Sequence, residues 1–294
     1  MADLADTTAD PVLTDVSDGL ATIRVNRPDT SPVLTDVSDG LATITINRPD
    51  AMNAMNTAAK VALRDALRAV ADDPAVRAVL LTATGRAFCV GQDLKEHVAK
   101  LSEARGADGG NALSTVREHY NPIVRAITEM EKPVVAGVNG VAAGAGFGFA
   151  LAADYRVVAD SAAFNTSFAG VALTADSGVS WTLPRLIGAS RAADLLFFPR
   201  SITAQEAHEL GIANKVVPSA DLAKEAQAVA RALAEGPTVA YAALKASMAY
   251  GAGHTLAETL EKEDELQTRA GASRDHTIAV EAFLAKQPPR YLGA

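Results

Sequence analysis

The sequence predicts an α/β fold with mostly parallel strands, and three observations carry that prediction. Short β-rich runs, LATITIN (41–47), VRAVLLTA (76–83), PVVAGV (133–138) and YRVVA (155–159), are separated by helical stretches, the rhythm of strands joined by crossovers. The chain has 294 residues, of which 49% are hydrophobic and 21% charged, so it can bury a substantial core. Two glycine-rich segments, GRAFCVGQDLKEH (85–97) and VNGVAAGAGFGFALAAD (138–154), sit where a strand passes into a helix. Length alone allows two domains, or one α/β domain of roughly 250 residues.

The elements follow in order. PVLTDVSDGLATIRVNRPD (11–29) recurs as PVLTDVSDGLATITINRPD (32–50), with Arg24/Thr45 and Val25/Ile46 the only differences. Two copies are too few for a solenoid, which needs at least three repeats. Only the second copy continues into AMNAMNTAAKVALRDALRAV, so residues 32–50 are taken as the working copy. Residues 1–31 are then an extra, poorly ordered arm; a hairpin using both copies is the alternative. LATITIN alternates like a half-buried strand. Residues 54–73 carry Val61, Leu63, Leu67 and Val70 at helical spacing, and Asp72-Asp73-Pro74 ends that helix. The stretch 99–113, with Gly106, Gly109 and Gly110, suggests a mobile loop or a loose helix. Residues 144–154 form a tightly packed helix, and Thr203 with Glu206 a capping box for a helix ending at Gly211. Residues 221–235 and 255–270 are further helices. The expected organisation is an arm (1–31), an α/β core (32–220) and a C-terminal helical region (221–294).

The net charge of −8 and pI of about 5.2 argue against nucleic-acid binding, which needs clustered Lys and Arg. The single cysteine, Cys89, excludes a disulfide framework or a multi-thiolate metal site and suits a reducing cytoplasm; it is expected at a buried strand end. The acidic N-terminus lacks the apolar segment of a secretory signal, and no apolar run is long enough for a membrane span. GAGFG (144–148) lacks the third glycine of a dinucleotide fingerprint, because Phe149 stands there. The five histidines are scattered without ligand spacing, so no metal is expected.

What remains is the pair of glycine-rich junctions. Free N–H groups at two facing helix starts could converge on one carbonyl oxygen and stabilise an enolate or tetrahedral anion. The same glycines could serve only close helix–strand packing.

INRPDAMNAM (46–55), GRAFCVGQDLK (85–95), KPVVAGVNGVAAGAG (132–146), TADSGVSWTLPRLIG (174–188), ITAQEAHELGIANKVVP (202–218) and AFLAK (282–286) resemble, in order, the motifs of the crotonase, or enoyl-CoA hydratase/isomerase, superfamily. The resemblance implies a spiral of ββα repeats with a C-terminal helical region, assembled as trimers or dimers of trimers. It implies an acyl-CoA thioester as substrate, with no metal or redox cofactor and coenzyme A present only as part of the substrate. By position, the N–H groups of Gln92 and Ala145 would hold the thioester oxygen. Lys95, Ala51 and Met52 match positions around the nucleotide end of CoA. Phe283 and Lys286 match a pair that reaches a neighbouring subunit's CoA.

The acid/base groups depart from the hydratases. Their two glutamates fall on Gly148 and Phe168, neither of which transfers a proton. Asp176 falls where an isomerase branch, similar to 1,2-epoxyphenylacetyl-CoA isomerase, carries an aspartate. YNPIVR (120–125), GVAAGAG (140–146), ADSG (175–178) and WTLPRL (181–186) carry that similarity. The chlorobenzoyl-CoA dehalogenases also carry an aspartate there, but they need a histidine and a tryptophan. Phe168 replaces the tryptophan and His119 does not align with the histidine. Asp176 also suits a helix N-cap. Phe168, Phe147 and Trp181 are expected to form an apolar wall that raises its pKa. The expected activity is an acyl-CoA isomerase working by proton transfer through Asp176, with Phe168 against the substrate. A silent acyl-CoA-binding protein and a single-carboxylate hydratase are the alternatives.

Overall fold

The computed structural model describes residues 13–14, 20–24, 31–106 and 113–294. The working copy of the repeat is a β-hairpin rather than one strand. β3 (Val33–Ser38) and β4 (Leu41–Ile46) pair antiparallel from Val33–Ile46 to Ser38–Leu41. Asp39 (φ 50°) and Gly40 (φ 75°) form the two-residue turn, both left-handed as such a hairpin demands. The Asp-Gly pair was the sequence signal for this hairpin.

Of the expected arm, the described pieces are β1 (Leu13–Thr14) and β2 (Leu20–Arg24); the remaining residues up to 30 lie outside the described residues. β2 and β4 are placed on the same partners. Leu20 and Leu41 both pair with Ala78, and Ala21 and Ala42 both pair with Val79. Near-identical sequences thus address one strand position.

After β4 the chain makes a 3₁₀ turn (Pro49–Ala51) and then α1 (Thr57–Asp72), whose first turn is capped by the Asn56 side chain accepting from Ala59 N–H. Three ββα units follow. β5 (Ala78–Ala83) and β6 (Ala87–Cys89) lead to α2 (Leu94–Gly106). A π-helical turn (Val116–Tyr120) and α3 (Asn121–Glu129) lead to the next unit. In it, β7 (Val134–Val138) and β8 (Val141–Ala143) lead to α4 (Ala145–Ala152). β9 (Tyr155–Ala159) and β10 (Ala163–Asn165) lead to α5 (Val179–Ile187) and α6 (Ala189–Phe197). The first strand of each unit joins one sheet and the second joins another. Among the described residues the larger sheet runs β1-β2-β3-β4-β5-β7-β9-β12 and the smaller β11-β10-β8-β6, with β11 Ile202–Thr203 and β12 Lys215–Val217. From β4 to β12 every pairing in the larger sheet is parallel, and β7 is buried along its whole length, as a strand covered on both faces must be. This is the expected spiral of ββα repeats. The second, smaller sheet, with strands of two or three residues, was not expected from the sequence.

α7 (Ala204–Glu209) starts at Thr203, whose hydroxyl accepts from Glu206 N–H. The expected capping box is only half formed, because the Glu206 carboxylate pairs with Arg200 instead. The complete box is at Thr255 and Glu258, at the start of the helix Leu256–Gly271. α8 (Leu222–Ala234) packs on β5 and β7, where Gly137 lets the Ala226 methyl approach the strand. α9 (Thr238–Gly251), α10 (Leu256–Gly271) and α11 (Arg274–Ala285) complete the chain. The buried Asp275 carboxylate accepts the N–H groups of Leu292 and Gly293, and Arg77 donates to the Tyr291 and Gly236 carbonyls, so the C-terminal residues are tied to the core. No described helix is long and apolar enough to cross a membrane.

Candidate active site

The site is built where the two glycine-rich junctions meet. Gly91 (φ 86°) ends the turn after β6, and a Cβ on it would lie 3.1 Å from Ala143 O and 3.3 Å from Ala145 N. A Cβ on Gly146 would overlap the Cys89 carbonyl. Both glycines are therefore required for the β6 turn to touch the start of α4. Met55 pins the turn from the other side. Its N–H donates to Gly91 O at 2.7 Å, and its carbonyl accepts from Asp93 N–H at 3.1 Å. Between these bonds the Gln92 N–H finds no acceptor among the described residues, and neither does Ala145 N–H in the first turn of α4. Two unpaired donors on touching turns are the arrangement that polarises a carbonyl oxygen.

Asp176 lies in the turn before α5. It does not cap that helix: the N-cap is Gly178 and no side chain caps it. The carboxylate instead accepts the Ser177 hydroxyl at 2.8 Å and lines a cavity of about 320 Å³ with Leu113, Val116 and Leu173. Burial raises its pKa above the ordinary carboxylate value, against the lowering effects of the Ser177 hydrogen bond and the Lys60 charge. The apolar wall differs from the expected one. Phe147 packs in the core against Phe164, and Trp181 is 49% exposed with Arg185 stacked on it. Phe168 is buried in the core and is not part of the cavity wall.

Gly148, where the resemblance places the first hydratase glutamate, faces the same turn. A Cβ there would lie 2.5 Å from Ser177 Cβ and 2.6 Å from Ser177 O. The Asp176-Ser177-Gly178 turn, with Ser177 and Gly178 both left-handed, occupies the space a side chain at 148 would need.

The remaining expected residues lie at different distances from this centre. Ala51 and Met52 lie on the 3₁₀ turn, fixed by Asn53, whose amide donates to Thr84 O and Ala87 O and accepts Arg48 N–H. Lys95 is exposed on the first turn of α2, its backbone N–H donating to Asp93 Oδ1, and it does not line the cavity at Asp176. Phe283 is 81% exposed, and Lys286 ends α11 in the left-handed region; neither lines the cavity at Asp176. Cys89 ends β6, fully buried, with its thiol pushed up to about 12 by burial.

The sequence reading missed a polar cluster beneath Gln92. Lys60 on α1 is 0% exposed, donating to Gln92 Oε1 at 2.7 Å and Thr115 Oγ1 at 2.9 Å. The Tyr120 hydroxyl also donates to Gln92 Oε1, at 2.7 Å. The signal was present: residue 60 shares a helical face with Leu63, Leu67 and Val70, all buried, whereas Val61 is only partly so. A larger cleft of about 740 Å³ lies between α1, α3 and α9, lined by charges of both signs such as Arg68, Arg125 and Glu131, and contains none of these residues.

The two turns with free N–H groups and the half-buried Asp176 carboxylate meet α4 at different residues: Ala145 opens that helix at the turns and Gly148 meets Ser177 next to Asp176, while Gln92 and Ala145 themselves do not line the Asp176 cavity. The chain belongs to the enoyl-CoA hydratase/isomerase family, whose pattern it matches over residues 36–294. It is 41% identical over 279 residues to a Rhodobacter capsulatus protein named "probable enoyl-CoA hydratase", covering 95% of this chain and 96% of that one. It is 38% identical over 282 residues to the 1,2-epoxyphenylacetyl-CoA isomerase of Escherichia coli, covering 96% and 98%. A crystal structure from Mycobacterium abscessus, provisionally described as an enoyl-CoA hydratase/isomerase, superposes with a TM-score of 0.85 at 42% identity, covering 96% of this chain and all of that one.

Proposed function

We propose that this member of the family is an acyl-CoA isomerase in which Asp176 moves a proton between two carbons of the acyl group. The observation that carries the reading is the exchange of carboxylates. Gly148 has no room for a side chain, Phe168 cannot ionise, and Asp176 is the carboxylate at the cavity. A hydratase of this family uses two carboxylates to add water across a double bond; one carboxylate suffices to take a proton and return it elsewhere.

The thioester carbonyl sits on the N–H groups of Gln92 and Ala145. Ionised Asp176 takes a proton from the α carbon of the thioester, or from the carbon beyond a double bond conjugated with it, and the C–H electron pair is delocalised onto the oxygen as an enolate or dienolate. The two N–H groups hold that charge. Protonated Asp176 then returns the proton to a different carbon, and the enolate collapses to the shifted product. No electrons leave the substrate, so the step needs no redox group, and the N–H pair supplies the polarisation a metal would otherwise provide. Leu113, Val116 and Leu173 face an apolar or ring-derived acyl group. Lys95, Ala51 and Met52 are assigned to the nucleotide end of CoA, and Phe283 and Lys286 to a neighbouring subunit's CoA, with a trimer or dimer of trimers as the assembly.

Replacing Asp176 by Asn keeps the shape and removes the base. Turnover should fall about 10²–10⁴-fold while acyl-CoA binding stays within a few-fold. The raised pKa places the acid limb of kcat/KM above the ordinary carboxylate value, and that limb should vanish in the variant. Full activity in Asp176→Asn defeats the reading. The Rhodobacter capsulatus relative's name favours a second reading, hydration through Asp176 and a bound water; it predicts 3-hydroxyacyl-CoA from crotonyl-CoA.

A further inference from the structure

A lysine wholly removed from water is costly unless something is gained, because the ammonium gives up its hydration on burial. The position could hold an aliphatic side chain, since its neighbours on α1 are Ala59 and Leu63. Lys60 Nζ instead donates to Gln92 Oε1 and Thr115 Oγ1, lies 3.8 Å from Glu96 Oε1, and sits 5.2 Å from the centre of the Tyr120 ring. Gln92 Oε1 therefore accepts two donors, one of them charged, while its Nε2 donates to Asp93 O. Every polar atom of this side chain is fixed, and it belongs to the residue whose backbone N–H is left free at the junction with α4.

We infer that Lys60 is a positioning residue of the carbonyl site: its buried ammonium, with the Tyr120 hydroxyl, clamps the Gln92 side chain and so fixes the Gln92 N–H, while its charge favours negative oxygen in the cavity. The inference rests on the reading of Gln92 and Ala145 as carbonyl donors. It does not rest on which reaction follows. Lys60 and Asp176 each feel the other's charge, so the same ammonium also favours the ionised base.

The charge is removable. Burial lowers the Lys60 pKa to about 8. The groups facing it are Glu96 and Lys100 from α2, Asp93 before α2, His119 and Tyr120 from the π-helical turn, and Asp176 before α5. Glu96 is held near 2 by Thr57 and Lys100, and Tyr120 is pushed far above its ordinary value, so neither titrates near neutrality. The His119 pKa is lowered, below the Lys60 range. As pH rises through about 8, Lys60 loses its proton, Glu96 keeps Lys100 as its ion-pair partner at 3.1 Å, and polarisation of a bound carbonyl weakens because the buried positive charge beneath Gln92 is gone.

The test reads polarisation without turnover. A push–pull cinnamoyl-CoA thioester absorbs further to the red when its carbonyl accepts strong hydrogen bonds. On the wild type the red shift should diminish as pH rises through about 8. In Lys60→Met it should be reduced at every pH and lose that titration, with kcat falling about tenfold or more and KM changing little, the split expected when transition-state stabilisation is lost. Tyr120→Phe removes a donor but no charge, so its shift should be smaller than in the wild type yet still titrate. Asp176→Asn should keep the shift, which separates failure of this inference from failure of the isomerase reading. A Lys60→Met protein with the wild-type shift and pH profile overturns the inference. A wild-type shift that is flat with pH also overturns it, and needs no variant to fold.

Discussion

At the scale of single residues, the account turns on space. Gly148 is the clearest case, because the backbone of Ser177 fills the volume that a side chain at 148 would occupy. Restoring the family's hydratase glutamate by Gly148→Glu should therefore not restore hydration. It should push the Asp176–Gly178 turn aside, cost about 1–3 kcal/mol or more by overpacking, and lower isomerisation together with Tm. Thermal melting and a hydration assay on crotonyl-CoA check this; a stable, hydrating variant would contradict it. Asp176 itself was legible from its sequence neighbours, but its freedom from capping was not. Asp before Ser-Gly fits an N-cap by pattern, but α5 starts at Val179 with Gly178 as its N-cap, and Asp176 lines the cavity instead. Lys60 went unread for a different reason. Apolar periodicity was counted through Val61, and a cation on the inner face contradicts the propensity rule unless a polar cluster receives it. Trp181 was misplaced because helical phase decides exposure, and its phase points outward onto Arg185.

At the scale of elements, β4, β5, β7, β9 and α1 were readable because they are strongly patterned. α2 (Leu94–Gly106) was not, its weak apolar pattern and glycines suggesting a mobile loop or loose helix over 99–113. The strands of the smaller sheet were not, since β6, β8 and β10 have three residues each and carry no period. They form because the first strand of each unit delivers the chain there, which is a tertiary cause. The hairpin of the working copy was legible in Asp39-Gly40, although only its second strand, over 41–47, was expected. The repeat raises an element-scale claim of its own. Both copies address Ala78 and Val79, and one edge of β5 takes one strand along its length. We propose that residues 32–50 fill that place and that residues 1–31 are dispensable. Deleting residues 1–31 should leave Tm within about 2 °C and kcat unchanged, since a shift of that size is well under 1 kcal/mol for a domain of this length. Loss of folding on deletion would show that the first copy is the working strand.

At the scale of the whole molecule, the core runs continuously from the hairpin through α8, and α9–α11 present exposed apolar side chains. Leu244, Met248, Leu256, Leu260, Phe283 and Leu284 are all more than half exposed. A surface of this kind on a folded chain marks an interaction face. The expected trimer or dimer of trimers would cover it, and a paired Phe283→Glu, Leu284→Glu variant should sediment as smaller species than the wild type. An unchanged sedimentation coefficient would place the assembly contact elsewhere.

The central claim is that a single carboxylate redirects a family able to hydrate towards moving a proton. Mass spectrometry of the products from 2-enoyl-, 3-enoyl- and ring-epoxide CoA thioesters tests it most directly, because isomerisation leaves the mass unchanged and hydration adds one water. The account predicts a rearranged product of unchanged mass from the wild type and none from Asp176→Asn. A product heavier by one water as the main species, or equal isomerisation by Asp176→Asn, would contradict it.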